Sequence, residues 1–105
     1  MEFGLTQNHI DILISIFNKY LLSGEVIIYG SRVKGNYTPQ SDVDLVIKGN
    51  DSNNRQNLAE IMEAIEESDL PYLVDIQYFE NIKNTELIEH INRVGKVFYS
   101  VDKNN

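Results

Sequence analysis

Apolar residues recur at helical spacing in three segments of the chain. Residues 9–22 place an apolar side chain at every third or fourth position, which predicts an amphipathic helix with one buried face. Thr6 or Asn8 is available to cap its first turn. A second helix is predicted from the stripe Leu58, Ile61, Met62 and Ile65, and a third around residues 86–93.

Short apolar runs between these helices predict four strands, at residues 26–29, 42–48, 72–78 and 97–99. The first is uniformly apolar, which is typical of a strand buried on both faces. In the second, Asp42 and Asp44 alternate with apolar residues, so both carboxylates point to one side with Cα atoms about 7 Å apart. The pattern predicts an α/β fold: a small mixed sheet of about four strands, with helices packed mainly on one face and the carboxylates on the open face.

Composition is consistent with one globular unit. At 105 residues, with 42% apolar and 24% charged residues, we expect a single domain spanning 1–105. A turn-rich loop at 49–54 is expected to cap the second helix, and the polar tail at 102–105 is expected to fray. The longest aliphatic run breaks at Ser15, and the chain has no cysteine. We therefore expect a cytoplasmic protein without membrane spans or disulfides.

The formal net charge of −7 argues against general nucleic-acid binding, because phosphate backbones are bound by clustered Lys and Arg. An acidic surface instead favours a soluble protein, a basic protein partner, or divalent cations that locally cancel the charge. Charge alone does not choose among these three.

Candidate chemistry is concentrated between residues 30 and 44. Gly30 ends the first strand, where a glycine lets backbone approach a phosphate, and Ser31 offers a hydroxyl and adjacent amides to phosphate oxygens. Asp42 and Asp44 supply the carboxylate oxygens that Mg²⁺ prefers, together with substrate phosphates. Two such ions about 3.5 to 4 Å apart can stabilise the attacking and leaving oxygens of an in-line displacement. The combination predicts metal-assisted phosphoryl chemistry.

Gly30-Ser31 followed by Asp42-Val43-Asp44 resembles the signature of the DNA polymerase β-like nucleotidyltransferase superfamily, and the whole chain resembles its minimal, antitoxin-type branch. The resemblance implies that Gly30 and Ser31 bind the triphosphate of ATP and that Asp42 and Asp44 ligate Mg²⁺. It implies that Asp75 completes the metal site. Asp75 stands unexpectedly among aliphatic residues, where a carboxylate could also help to deprotonate the acceptor hydroxyl.

Arg32 and Lys34 are the nearby cations, and each is a candidate ligand of the β or γ phosphate or a plain surface charge. Lys34 departs from the arginine that is frequent in related minimal domains, which puts its role in doubt. Tyr37 is a candidate for stacking on a base or for packing onto its own helix. His9 and His90 receive no predicted role.

We expect the catalytic core to occupy the whole chain, so that no further domain remains to bind a small-molecule or nucleic-acid acceptor. The resemblance implies an antitoxin that silences a HEPN-type RNase toxin by adding AMP to a tyrosine. Two alternatives stay open: an antitoxin that acts by binding alone, and one subunit of a two-part enzyme that modifies small molecules.

Overall fold

Helices and strands alternate along the chain much as predicted. A computed structural model describes residues 2–49 and 57–101, so the expected cap in loop 49–54 and the tail at 102–105 lie outside the described residues, apart from Gly49. The helices are α1 (Gln7–Tyr20), α2 (Ser31–Lys34), α3 (Asn57–Glu67) and α4 (Thr85–Val94), with a 3₁₀ turn at Phe79–Asn81. The strands are β1 (Glu25–Tyr29), β2 (Val43–Lys48), β3 (Val74–Tyr78) and β4 (Lys96–Ser100). Within the described ranges, no helix combines the length and apolar character needed to cross a bilayer.

The four strands form one mixed sheet in the order β3, β2, β1, β4. β1 pairs antiparallel with β2 and with β4, whereas β2 and β3 are parallel. A parallel pair cannot be joined by a tight turn, and the crossover between β2 and β3 carries α3. The predicted mixed sheet is therefore confirmed, and it places β2 and β1 at its centre.

The larger hydrophobic core lies between the sheet and helices α1 and α3. Alternate residues of β2, Val43, Leu45 and Ile47, point into it. They share this core with fully buried side chains of the two helices: Leu13, Phe17 and Ile61. The opposite face carries a smaller cluster in which α4 covers part of β1 and β2: Ile27, Tyr29, Val46, Ile82 and Ile91. Helices thus lie mainly on one face, as predicted, while α4 occupies part of the face that also bears the carboxylates.

A reciprocal cap fixes the start of α1. The Thr6 hydroxyl accepts a hydrogen bond from the His9 amide at 3.2 Å, and the His9 Nδ1 accepts one from the Thr6 amide at 3.3 Å. This capping box satisfies two donors and starts the helix at Gln7, two residues earlier than predicted. The His9 ring also meets Tyr72 edge-on, with centroids 5.1 Å apart. His9 is therefore a structural residue.

Candidate active site

Asp44 and Asp75 lie side by side on neighbouring strands. Asp44 of β2 is in register with Asp75 of the parallel strand β3, and with Tyr29 of β1 on its other side. Paired strands lie about 4.8 Å apart, so the two carboxylates project from adjacent positions of the same sheet face. Asp42 lies two residues before Asp44, just outside β2, which begins at Val43. The strand register therefore brings Asp44 and Asp75 together, and Asp42 is close enough for its charge to raise the pKa of Asp44.

Gly30 brings the serine turn against Asp44. The residue has φ 82° and ψ −155°, a combination that is essentially restricted to glycine. A Cβ added there would collide with the Asp44 carboxylate and lie 3.3 Å from its Cγ. Ser31 follows as the first residue of α2, and its amide and that of Arg32 have no carbonyl partner within the helix. A hydroxyl and two helix-start amides thus adjoin the carboxylates.

The electrostatics of this cluster favour a cation. Burial raises the pKa of the Asp44 carboxyl, and the negative charges of Asp75 and Asp42 raise it further, while Arg32 partly opposes them. Three carboxylates that repel one another are stabilised by a divalent ion, and Mg²⁺ is a hard cation with a preference for such oxygens. The donor set and the glycine cradle therefore fit a metal-bound phosphate group.

The expected three-aspartate metal site is not preassembled. In the part of the chain that the structure describes, no group of three or more His, Cys, Asp or Glu side chains is arranged to hold a metal ion. Asp42 and Asp75 are exposed to water, where mutual repulsion favours their separation. Mg²⁺ is usually bound by one or two carboxylates plus substrate phosphates, so a nucleotide would supply part of the coordination shell.

Arg32 occupies a different place from the one predicted. Its guanidinium is only 3% exposed. Nε and Nη2 donate to the Ser41 carbonyl at 3.2 and 2.7 Å, and Nη1 donates to the Phe3 carbonyl at 2.9 Å. The rings of Tyr72 and Tyr37 lie 4.4 and 5.4 Å from its central carbon. Because Arg32 is buried, the alternative of a plain surface charge is wrong, and these contacts hold the loop that leads into Asp42. The phosphate contact of Arg32 stays a prediction.

The same contacts locate the remaining candidates of the loop. Tyr37 packs its ring on Arg32 while 37% exposed, which favours the packing alternative over base stacking. Lys34 is the last residue of α2 and is exposed to solvent. Of the two predicted cations, Lys34 has the exposed side chain and Arg32 the buried one.

Tyr29 and His90 adjoin the site and were missed from the sequence. Tyr29 is 5% exposed and hydrogen-bonds the Gln77 side chain across β2. Burial raises the pKa of its phenol, and Asp75 and Asp44 add to the rise while the Gln77 bond opposes it. The His90 ring of α4 meets Tyr29 at 6.1 Å. The position of Tyr29 just before Gly30 was the available signal, but only the strand register places it beside Asp44.

Comparisons with known proteins agree with this geometry. The family model described as Polymerase beta, Nucleotidyltransferase matches residues 10–104. No curated protein matches the sequence.

Three solved structures share the fold. A toxin-antitoxin with AMP-PNP superposes with a TM-score of 0.69 at 18% identity, covering 90% of this chain and 75% of that chain. A double Asp-to-Glu mutant of the toxin-antitoxin MntA-HpeT gives 0.66 at 17%, covering 94% and 76%. A protein from Sulfolobus solfataricus, provisionally assigned as a nucleotidyltransferase, gives 0.51 at 20%, covering 90% and 78%.

The family match extends from α1 through β4 and includes every residue of the serine turn and the three aspartates. The sheet order and the open carboxylate face agree with the fold of the structural neighbours. The chain therefore belongs to the polymerase beta nucleotidyltransferase family.

Proposed function

We propose that this protein transfers AMP from Mg²⁺-bound ATP to a hydroxyl group of a partner protein, and that it acts as the antitoxin of a HEPN-type RNase toxin. The observation that carries the proposal is the contact of the Gly30 turn with the Asp44 carboxylate, which has Asp75 beside it in register. That contact joins an anion-binding turn to a cation-binding cluster, and a metal-bound triphosphate needs both.

Each residue of the cluster has a distinct task in this proposal. Ser31, through its hydroxyl and the adjoining amides, binds the phosphates that leave as pyrophosphate. Asp42 and Asp44 hold Mg²⁺, with Asp75 completing the set. When bound, the metal supplies positive charge against the phosphate oxygens and orients the triphosphate. Lys34 is free to reach the β or γ phosphate and to stabilise the charge that develops there.

The transfer is an in-line displacement at the α phosphorus. The acceptor oxygen forms a new bond to that phosphorus, and the bond from the phosphorus to the oxygen bridging to the β phosphate breaks. The electron pair of the broken bond leaves with pyrophosphate. Asp75, which is exposed and stands beside Asp44, accepts the proton of the acceptor hydroxyl, so that the attacking oxygen gains charge as the bond forms.

The structural neighbours and the charge of the chain support the choice of partner. Two neighbours are toxin-antitoxin structures, one of them with the ATP analogue AMP-PNP. Their identity to this chain is 17% to 18%, which supports a shared fold and leaves the partner as part of the proposal. The net charge of −7 is complementary to a basic protein, and an RNase must attract RNA.

Label transfer tests the reaction directly. The protein is incubated with Mg²⁺, ATP labelled at the α phosphate, and the purified product of the neighbouring gene. We expect label on that product with α-labelled ATP and none with γ-labelled ATP, because the nucleotidyl group carries only the α phosphate. Asp42→Asn and Asp44→Asn should abolish transfer, whereas Asp11→Asn, an exposed aspartate of α1, should leave it unchanged.

Other outcomes separate the alternatives. Neutralisation of the toxin that survives both aspartate substitutions would indicate an antitoxin that acts by binding alone. Label on a small hydroxylated molecule, and none on protein, would indicate a subunit of a two-part enzyme. Equal transfer by the native chain and the Asp44→Asn variant would contradict the proposed site.

A further inference from the structure

β3 forms one edge of the sheet and carries Asp75. The Val43 amide donates to the Leu73 carbonyl at 2.9 Å, and the register continues with Val43 opposite Val74. In a parallel pair, alternate residues direct both peptide groups to the neighbour, so Leu73 and Asp75 face β2. The amides of Val74 and Ile76 therefore point outward, and among the described residues they meet no further strand.

An apolar groove lies beside this edge, between β3 and α3. It has a volume of about 520 Å³ and is lined mostly by apolar side chains: Met62, Ile65, Leu70, Pro71, Val74 and Ile76. Leu73 and Met62 stand at its border, 77% and 47% exposed. Large apolar side chains exposed next to an unpaired strand edge are typical of a surface that another chain covers.

The rim of the groove is acidic. Glu66 lines it directly, and exposed carboxylates follow along the end of α3 and the turn after it: Glu63, Glu67 and Asp69. Residues 57–76 contain no Lys or Arg to compensate them. A segment that lies in this groove must therefore carry basic side chains as well as apolar ones.

We propose that β3 binds an extended, basic segment of a partner protein as an added fifth strand. Main-chain hydrogen bonds to Val74 and Ile76 would hold the segment, and its alternate side chains would enter the apolar groove. The intervening side chains then project to the opposite face, beside Asp75. This inference rests on the proposed function, because the added strand would deliver the acceptor hydroxyl of the partner to the carboxylate cluster.

Peptide binding measured by NMR tests the docking without catalysis. The probe is a twelve-residue peptide of alternating Val and Lys with one central Tyr. We expect shifts concentrated at the amides of Val74 and Ile76. Leu73→Asp should weaken binding about tenfold or more. Leu22 is a comparably exposed leucine, at 68%, outside the groove, and Leu22→Asp should leave affinity unchanged.

Two altered peptides sharpen the result. Replacing Lys by Glu should abolish binding through the acidic rim, and N-methylation of alternate residues should abolish it through loss of the main-chain hydrogen bonds. Absence of shifts at millimolar peptide, equal binding of the acidic peptide, or undiminished binding to Leu73→Asp would overturn the proposal.

Failure of docking and failure of transfer give different results. If the chain binds the peptide at β3 but never labels its tyrosine from α-labelled ATP, the docking proposal stands and the proposed activity is contradicted. If the chain labels the partner protein at an unchanged rate after Leu73→Asp, the proposed activity stands and the docking proposal is contradicted.

Discussion

Arg32 and the aspartate cluster (Asp42, Asp44 and Asp75) are charged regions on either side of the loop that leads into Asp42. The protein accommodates their charges in opposite ways. The Arg32 guanidinium is buried, and backbone carbonyls and two aromatic rings surround it. In the aspartate cluster, burial instead raises the pKa of the Asp44 carboxyl, and the charges of Asp75 and Asp42 raise it further. A charge that the protein satisfies internally serves the fold, and a charge that it leaves unsatisfied is available for a ligand.

The two regions are also connected. Arg32 binds the carbonyl of Ser41, the residue immediately before Asp42. It also binds Phe3, so the start of the chain is tied to the loop. The buried Arg32 therefore positions the loop that carries Asp42. Substitution of Arg32 should mainly lower stability, whereas substitution in the aspartate cluster should mainly lower activity.

Removing the Asp44 charge should give the largest effect on activity. Asp44→Asn keeps the shape but removes the proposed metal ligand, and we expect nucleotidyl transfer to fall by about 10³-fold or more. Folding stability should not fall, because the substitution removes repulsion with Asp42 and Asp75. Label transfer and urea unfolding measure the two effects. A variant that loses stability and activity together would erase the contrast between the regions.

Removing Arg32 should give the opposite signature. Arg32→Met leaves the carbonyls of Ser41 and Phe3 without their donor and removes both cation–π contacts, so we expect a loss of about 3 kcal/mol in the free energy of unfolding. The control is Arg93→Met, whose ion pair with Glu89 is exposed and should contribute less than about 0.5 kcal/mol. Equal stability of the two variants in urea would show that Arg32 is not a structural centre.

Gly30 should combine both effects at a smaller scale. Alanine is strained at this φ and ψ by about 2 kcal/mol, and its methyl group would displace the Asp44 carboxylate, lowering transfer about 100-fold. Gly35→Ala is the matched control, because Gly35 also has positive φ but an added Cβ meets nothing within 4 Å. It should cost about 1 kcal/mol of stability. Normal activity of Gly30→Ala would disprove the close approach of the turn.

The pH dependence of stability should give the smallest effect. A carboxyl whose pKa is raised on folding is bound to its proton more tightly in the folded state, so its contribution is present below the usual value of 3.8 and is lost as pH rises through the folded pKa. The metal-free protein should therefore lose stability relative to Asp44→Asn over that interval. Thermal unfolding of both chains against pH measures the difference, and parallel curves would contradict it.

Much of the fold was predictable because periodicity reports which face of an element is buried. The stripes of α1, α3 and α4 and the four strands all follow from spacing. Residues 26–29 of β1 are all buried, as their uninterrupted apolar run predicted. Element ends were less accurate: residues 72 and 73 were assigned to β3, which begins at Val74, because a strand begins where a partner strand is available.

The candidate residues of the site came from the sequence, and their roles stay predictions, whereas their surroundings came only from the structure. Spacing and resemblance indicated Ser31, Asp42, Asp44 and Asp75, and strand register then placed Asp75 beside Asp44. The burial of Arg32 was not predicted because its partners are backbone carbonyls 29 and 9 residues away, and carbonyls leave no mark in a sequence. Tyr29 was missed for a similar reason, since its neighbours come from other strands.

The edge position of β3 has a consequence for how rigid the carboxylate cluster is. Asp44 belongs to a strand bonded on both sides, whereas the backbone of Asp75 is bonded to β2 alone among the described residues. Local opening is cheapest where fewest hydrogen bonds must break. Amide hydrogen exchange should therefore be faster along β3 than along β1 or β2. A partner strand that pairs with β3 would reduce this local opening while its hydroxyl group lies at the carboxylate cluster.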